Sequence, residues 1–437
     1  MPQLAQISCW ARTAWLLAAA CLYFASGVEV ANAQTVSGTI SYWDARKWRS
    51  NATGSRLTTG TSLTDRGFDA GVVWLYDEDG ACNDFKITCS ESDDDYLGWS
   101  YVDDDGFFSF PNVSGLQDVY IRYTYRNAAG VVLDQNANEI QAVSRTIIDV
   151  ASNTTLDFSA SCPSELDGEC DNQATANNTW ANAGFAMLAA SMSEVHKYTG
   201  LPLGDFGADA GIIVGMWPNG PATECNGLAG ASWDDDKFCV SFGNADDPHV
   251  IGHEMGHLYH ARAFGFSSTT SLLNGLTTCT ALWADANTSE KCVTVEGYAS
   301  FLSTATWWAN SADHPLYRSW PVEDLTTFNN ASPERCIGWD GTIRERFAGN
   351  VTRYFWDLYD THNNDPNASG TAFDNETHAI GDIHWIWSLF PAGTGNHQAS
   401  ESGADGRNVY DYEAYDNWLN ADLVAERRLS CLTNMQQ

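Results

Sequence analysis

The stretch DDPHVIGHEMGHLY, residues 246–259, predicts a buried helix that carries two histidines on one face. Its two aspartates are candidate helix caps, and Pro248 suits the first helical turn, where the missing N–H has no intrahelical partner to lose. Apolar residues flank the histidines on both sides, as in a helix that packs on a core. His253 and His257 are four residues apart, so their side chains lie one above the other.

The same stretch contains the pattern H-E-x-x-H, because Glu254 follows the first histidine. Two imidazoles at this spacing bind one Zn²⁺ at about 2.0–2.1 Å, and the glutamate between them serves as the general base. In a chain of this length with 10 histidines, the pattern is expected by chance roughly 0.01 times. The alternative is a surface helix with two solvated histidines, which the apolar flanks disfavour. The motif therefore predicts a zinc site.

A catalytic zinc usually has a third protein ligand, and the best candidate is Glu296. It lies in the apolar segment VEGYASFL, residues 295–302, where a buried carboxylate is costly unless it is paired or bound to a metal. The alternative places this glutamate at the exposed start of a helix, where its charge favours the helix dipole. His260 is a weaker candidate, because it is about 10.5 Å along the helix from His253. It is predicted to be a packed residue or an outer neighbour of the site.

The two motifs together resemble those of the gluzincins, the thermolysin-like zinc metallopeptidases, over roughly residues 176–390. These enzymes carry H-E-x-x-H and then a glutamate on a second helix, and the pattern Glu-Gly-x-Ala-x-Phe from Glu296 is similar to that helix. The metzincin pattern H-E-x-x-H-x-x-G-x-x-H is not met, since Ala263 stands where its third histidine would be. The resemblance implies His253, His257 and Glu296 as zinc ligands.

The resemblance also implies further roles near the metal. Glu254 would be the catalytic base, and a downstream His or Tyr commonly stabilises the developing oxyanion. His384 is the first candidate for that role and His378 the second; a structural histidine is the alternative for both. One departure stands out: thermolysin-like enzymes often place Asp four residues after the ligand glutamate, and this chain has Ser300 there. The outer neighbours of the metal must therefore differ from theirs.

The first 33 residues are predicted to be a secretory signal peptide. Arg12 supplies the positive charge, residues 14–28 are mostly apolar, and residues 31–33 read Ala-Asn-Ala, a cleavage site. An uncleaved anchor is the alternative, but the apolar stretch is shorter than the ~20 residues that a spanning helix needs. A lipoprotein box ending at Cys21 is a further alternative. We expect secretion, or a periplasmic location in a bacterium.

The cysteines support an extracellular location. Of the 12 cysteines, Cys9 and Cys21 lie in the signal segment and ten follow it, and an even number in a secreted chain predicts disulfides. Spacing does not determine the connectivity. The simplest pairing is sequential: Cys82–Cys89, Cys162–Cys170, Cys225–Cys239, Cys279–Cys292 and Cys336–Cys431.

The chain is strongly acidic, with a formal charge of −34 from 22 basic and 56 acidic residues. This charge argues against nucleic acids and anionic membranes as partners. Three runs of Asp, at 93–95, 103–105 and 234–236, are typical of solvated surface. Calcium binding is the alternative for these runs, although none matches D-x-[DN]-x-[DN]-G.

The pattern along the chain predicts an α+β protein of several domains. Residues 34–160 contain short alternating segments with turn signals, which predict a β-sandwich. The run DDDGFFSFPNV at 103–113 is similar to one in carboxypeptidase-regulatory or transthyretin-like sandwich domains. Residues 161–175 are predicted to form a disulfide-closed linker, and residues 176–437 a zincin-like α/β metallopeptidase domain with a mainly helical C-terminal half. One predicted strand buries a single face, made of Val119, Ile121, Tyr123 and Tyr125.

These features predict a secreted zinc endopeptidase that acts on protein or peptide substrates. The alternative is an extracellular binding protein with a recognition sandwich and a structural or vestigial zinc site. Glu254 disfavours that alternative, because a structural site has no use for a general base. A zinc hydrolase that acts on a non-peptide amide is a third interpretation. The sequence leaves the oligomeric state, the substrate preference and the role of the sandwich open.

Overall fold

A computed structural model describes a large part of the chain in separate segments. Nearly all of the predicted signal peptide and of the predicted linker lies outside them, as does at least one cysteine of each predicted disulfide. Cys292 is disulfide-bonded, and its pairing with Cys279 stays a prediction. The described residues are 33–44, 64–78, 94–115, 117–133, 139–144, 150–161, 176–201, 212–217, 231–233, 237–241, 244–263, 290–312, 315–318, 320–322, 348–361 and 378–388.

The N-terminal region contains eleven described strands. They are β1 (Gln34–Asp44), β2 (Thr64–Gly67), β3 (Val72–Asp77), β4 (Asp95–Tyr101), β5 (Phe107–Val113), β6 (Val119–Thr124), β7 (Arg126–Asn127), β8 (Gly130–Leu133), β9 (Gln141–Val143), β10 (Thr154–Thr155) and β11 (Phe158–Ser159). All except β7 and β8 belong to two sheets. In one, β1 pairs antiparallel with β2 and β5 and parallel with β10 and β11. The other is antiparallel in the order β4-β3-β6-β9.

An aromatic core joins these two sheets. Tyr123 of β6 lies 5.6 Å from the ring of Phe158 in β11 and 6.3 Å from that of Phe68, measured between ring centroids. The buried hydroxyl of Tyr125 donates to the carbonyl of Ala160 at 2.9 Å, so its polar atom is satisfied. The residues predicted on one face, Val119, Ile121, Tyr123 and Tyr125, are all fully buried, but Tyr120 and Thr124 of the opposite face are buried as well, so β6 does not bury one face only.

A hairpin from the N-terminal region belongs to a third sheet, in the order β13-β14-β12-β8-β7. The added strands are β12 (Ile212–Trp217), β13 (Ala231–Trp233) and β14 (Lys237–Ser241). Strand β8 pairs parallel with β12, and Asn127 anchors the hairpin because its side-chain amide donates to the carbonyl of Ala189 at 2.7 Å. Residues 126–133, within the range predicted as a sandwich, therefore build part of the sheet beside the helices.

Helices dominate the described residues after this sheet. They are α1 (Ala176–Thr199), α2 (Pro248–Ala263), α3 (Glu290–Trp307), α4 (Ala348–Tyr359) and α5 (Ile380–Ser388), and a short hairpin of β15 (Leu316–Tyr317) and β16 (Trp320–Pro321) follows α3. Helix α3 packs on both α2 and α4, and α1 lies against β1 and β8. The described fold is thus mixed α and β, as the α+β prediction requires.

Within the described segments, no helix combines the length and the apolar composition that a crossing of the bilayer demands.

Candidate metal centre

Helix α2 begins where the sequence predicts. The carboxylate of Asp247 accepts hydrogen bonds from the backbone N–H groups of His249 and Val250, at 3.1 and 3.4 Å, which caps the first turn. Pro248 is the first residue of the helix. The guanidinium of Arg318 lies 3.1 Å from the other carboxylate oxygen, so the cap also joins the helix to the β15–β16 hairpin.

Helices α2 and α3 run antiparallel in very close contact, and two glycines allow this. A Cβ on Gly256, inside the H-E-x-x-H pattern, would lie 2.8 Å from the Cα of Ala299. A Cβ on Gly252 would lie 3.0 Å from the hydroxyl of Ser303. Contacts below about 3.4 Å crowd carbon atoms, so larger residues at these positions would push the helices apart. The short separation brings side chains of α3 within reach of the histidines on α2.

Three of the predicted ligand side chains converge. The Nε2 atom of His253 is 3.0 Å from Oε2 of Glu296 and 3.0 Å from Nε2 of His257. The remaining separation, between His257 Nε2 and Glu296 Oε2, is 3.7 Å. Ligand atoms at 2.0–2.1 Å around a tetrahedral ion lie about 3.3 Å apart, so this triangle has the size that a bound cation requires. Within the described segments, these residues form the one His/Cys/Asp/Glu group of this kind.

Hydrogen bonding alone explains this triangle poorly. The Nε2 atom of His253 can make one linear hydrogen bond, either to the carboxylate or to the second imidazole, but it is equally close to both. A single cation at the centre accounts for all three short separations. The group can therefore hold a metal ion.

The protonation states of the ligands also suit a cation. Burial lowers the pKa of His257 to about 4, so its imidazole is neutral at physiological pH. Burial alone would raise the pKa of Glu296, but the imidazoles of His257 and His253 lower it below its usual value. Metal binding requires a neutral imidazole and an ionised carboxylate, which are the forms that this environment favours.

Glu254 lies buried beside the ligands, with about 5% of its surface exposed. Burial, and secondly the charge of Glu296, raise its pKa well above the usual value for a carboxyl group. Its Oε2 atom has no hydrogen-bond partner among the described residues, although buried carboxylate oxygens normally have one. A cation in the ligand triangle would favour the ionised form of this group. A carboxylate so placed can exchange protons with a molecule bound next to the ligands.

The other predicted histidines lie outside the ligand triangle. His384, on α5, is buried and its Nδ1 atom is 2.9 Å from the hydroxyl of Tyr298. Its ring also packs near Tyr259, and burial lowers its pKa to about 4. His378 precedes α5 and its backbone N–H donates to the carbonyl of residue 358. His260 is buried with its ring 4.6 Å from that of Tyr298, as expected for a packed residue.

Two hydroxyl groups near the ligands complete the site, and sequence analysis missed one of them. Ser300, at the departure from the thermolysin-like pattern, has its hydroxyl 3.2 Å from Nδ1 of His253. The hydroxyl of Tyr317 is 3.1 Å from the same nitrogen. Tyr317 is in a two-residue strand, which is too short to produce a periodic pattern, so no local signal identified it.

Comparisons with known proteins do not place the chain in a family. A scan against protein-family models found no match, and a search of curated proteins found no similar sequence. The residues of the site and the distances between them are therefore the basis for inferring its function.

Proposed function

We propose that this chain is a secreted zinc-dependent endopeptidase of the gluzincin type. Its catalytic part would be a zincin-like α/β domain that follows an N-terminal β-sandwich. The observation that carries this proposal is the triangle of His253, His257 and Glu296, with separations of 3.0–3.7 Å, beside the buried Glu254. Two imidazoles and one carboxylate form a ligand set typical of catalytic zinc.

The chemistry divides between the metal and the protein. Bound Zn²⁺ supplies Lewis acidity, which polarises the scissile carbonyl and lowers the pKa of water to about 7. His253, His257 and Glu296 hold the ion. Glu254 takes a proton from the attacking water at its carboxylate and delivers it to the leaving amine. Its buried position strengthens this exchange, because little bulk water competes for the carboxylate.

Strand β13 offers a way to bind an extended peptide. It is at the end of the third sheet among the described strands, antiparallel to β14, and it lies beside α2. A peptide that adds to such an edge gains backbone hydrogen bonds that do not depend on its side chains. We propose that the substrate chain lies along β13, which would bring a peptide bond to the metal helix.

We propose that His384 stabilises the developing oxyanion. Its described hydrogen bond joins it to Tyr298, and a role at the oxyanion requires its other ring nitrogen to face the substrate. The variant His384→Gln would distinguish the two roles. Loss of an oxyanion partner would lower kcat, whereas loss of a packed histidine would lower stability.

A second candidate function is recognition by the N-terminal sheets. Tyr96, Trp99 and Tyr101 of β4 expose 53%, 53% and 71% of their surfaces, which is unusual for large aromatic side chains. These residues favour a binding role for this face. In that case the metal site would have a structural role, or would act on a very narrow range of substrates.

The test is a measurement of zinc content and casein hydrolysis on the purified protein, with and without a chelator. One equivalent of zinc and hydrolysis that stops with the chelator would support the endopeptidase. Zinc without any cleavage would favour the recognition protein. A protein that binds no zinc would contradict the proposed function.

A further inference from the structure

Two neutral hydroxyl groups meet the outer nitrogen of His253. Ser300 reaches Nδ1 from α3 at 3.2 Å, and Tyr317 reaches it from the β15–β16 hairpin at 3.1 Å. The opposite nitrogen of the same ring, Nε2, faces Glu296 and His257. One imidazole thus lies between the ligand triangle and a pair of alcohols.

Tyr317 is held in this position by contacts on both sides. Its ring centroid is 5.8 Å from that of His253 and 5.7 Å from that of His249, one turn earlier on α2. The next residue, Arg318, has a left-handed backbone with φ of 57° and an ion pair with Asp247 at 3.1 Å. An arginine in that conformation is strained, so the surrounding contacts must fix the hairpin. The indole N–H of Trp308 adds one such contact, since it donates to the carbonyl of residue 316 at 3.0 Å.

When a metal occupies Nε2, the two hydroxyls can accept the proton that His253 carries on Nδ1. An imidazole that binds a metal through Nε2 must be protonated at Nδ1, and that N–H needs an acceptor. A hydroxyl oxygen accepts it without adding charge. A carboxylate in the same place would make the imidazole more basic. A neutral pair therefore orients the ring but leaves the metal more electron-poor.

We propose that Ser300 and Tyr317 are positioning residues that orient His253 toward the metal and accept the hydrogen bond of its Nδ1–H. The inference rests on the proposed metal site and adds to it the part of the protein that prepares one ligand. Loss of such outer partners typically lowers metal affinity by about 10–100-fold. Because either hydroxyl can accept the N–H, the double variant is expected to show the full loss and each single variant part of it.

The experiment measures zinc affinity by competition with a chelating dye, on the full-length protein. Wild type is compared with Ser300→Ala, Tyr317→Phe and the double variant. Ser300→Thr keeps a hydroxyl, so in contrast to Ser300→Ala its zinc affinity is expected to stay within a few-fold of wild type. Matched controls remove hydroxyls that face other histidines: Ser303→Ala, whose hydroxyl contacts His249 at 3.3 Å, and Tyr259→Phe, whose hydroxyl contacts His196 at 3.4 Å.

A second measurement separates positioning from general damage. Nitrogen-15 NMR of the histidine rings in the zinc-bound proteins reports the hydrogen bonding of the Nδ1–H of His253. We expect a hydrogen-bonded Nδ1–H in the wild type and both controls, and loss of that hydrogen bond in the double variant. Thermal unfolding of the metal-free variants shows whether each still folds.

The outcomes distinguish this inference from the proposed function. If the wild type binds no zinc, the proposed function fails first. If the wild type binds zinc and the folded double variant binds it equally well with an unchanged Nδ1–H signal, the positioning role is wrong. Equal losses in Ser303→Ala and Ser300→Ala would also overturn it, because the effect would then not be specific to the ligand histidine.

Discussion

The core between the N-terminal sheets and the interface between α2 and α3 are both largely buried, but the first is made of aromatic side chains and the second of polar ones. Between the sheets, Phe68 packs edge-on against the rings of Tyr42, Tyr123 and Tyr125 at 5.9–6.3 Å. Between the helices, the buried groups include imidazoles, a carboxylic acid and hydroxyls. These are His249, Glu254, His257, His260, Ser300, Ser303 and Thr304.

This difference indicates what each region is for. Burial of the aromatic rings stabilises the sheets directly, at about 25 cal/mol per Å² of apolar surface. Burial of imidazole and carboxylate groups is unfavourable unless partners satisfy them. A metal ion is a partner that satisfies several such groups at once, and its binding energy then contributes to folding. Substitutions in the first region should therefore change stability, and substitutions in the second should change chemistry.

The largest difference between an effect on catalysis and an effect on stability is expected for Glu254→Gln. The amide keeps the shape of the side chain but cannot take a proton, so kcat should fall about 10²–10⁴-fold. The zinc content should remain at one equivalent, because Glu254 is not a ligand. Casein hydrolysis and metal analysis on the same preparation check both points. An unchanged rate would contradict the mechanism.

The opposite pattern is expected in the aromatic core, for Phe68→Ala. Phe68 is fully buried, and its removal should lower the free energy of unfolding by about 3–5 kcal/mol. Zinc affinity of the folded protein should stay within a few-fold of wild type. Urea denaturation and dye competition measure the two quantities.

The control is Tyr101→Ala at a residue that is 71% exposed, where a change of about 0.5 kcal/mol or less is expected. A zinc affinity that falls in parallel with stability would show that the two regions are not separate.

Sequence analysis was most successful where the decisive signals were local. The cap at Asp247, the helix from Pro248 and the spacing of its two histidines all lie within a few turns of chain. Glu296 could be predicted because an acidic residue in an apolar segment needs a reason to be buried. All three ligand predictions agree with the triangle that the structure shows.

The features that sequence analysis missed depend on long-range pairing. Strand β8 joins β12 across a long stretch of chain, and no periodicity in either segment specifies the partner. Tyr317 reaches His253 only because a short hairpin folds back over α2, where Arg318 meets the helix cap. Such contacts follow from tertiary packing, which overrides the local pattern. The interaction of His384 with Tyr298 is of the same kind.

An intermediate effect, on both stability and metal affinity, is expected for Gly256→Ala. The added Cβ would lie 2.8 Å from the Cα of Ala299, so the helices must separate. This should lower the free energy of unfolding by about 1–3 kcal/mol. His257 and Glu296 lie on opposite sides of this contact, so zinc affinity should fall as well.

The control is Gly381→Ala on α5, where a Cβ meets nothing within 4 Å. That substitution should raise stability by about 0.5–1 kcal/mol, because alanine favours a helix. Unfolding and zinc titration of both variants measure the contrast, and a stable, fully metal-binding Gly256→Ala would show that the close contact is not needed.

An effect confined to acidic pH concerns His249, which belongs to the polar interface but not to the ligand triangle. Burial, and secondly the charge of Arg318, lower its pKa to about 3, whereas the unfolded chain has an imidazole pKa near 6.5. Between these values the unfolded state binds a proton that the folded state does not, so acid favours unfolding. The free energy of unfolding of the metal-free protein should fall by about 1.4 kcal/mol per pH unit from this group as pH decreases below 6.5. The variant His249→Gln has no proton to take up and should show a flatter dependence, measured by urea denaturation at several pH values with a chelator present. Parallel curves for the two proteins would mean that His249 becomes protonated without unfolding, and the helix interface would then be less tightly enclosed than the aromatic core.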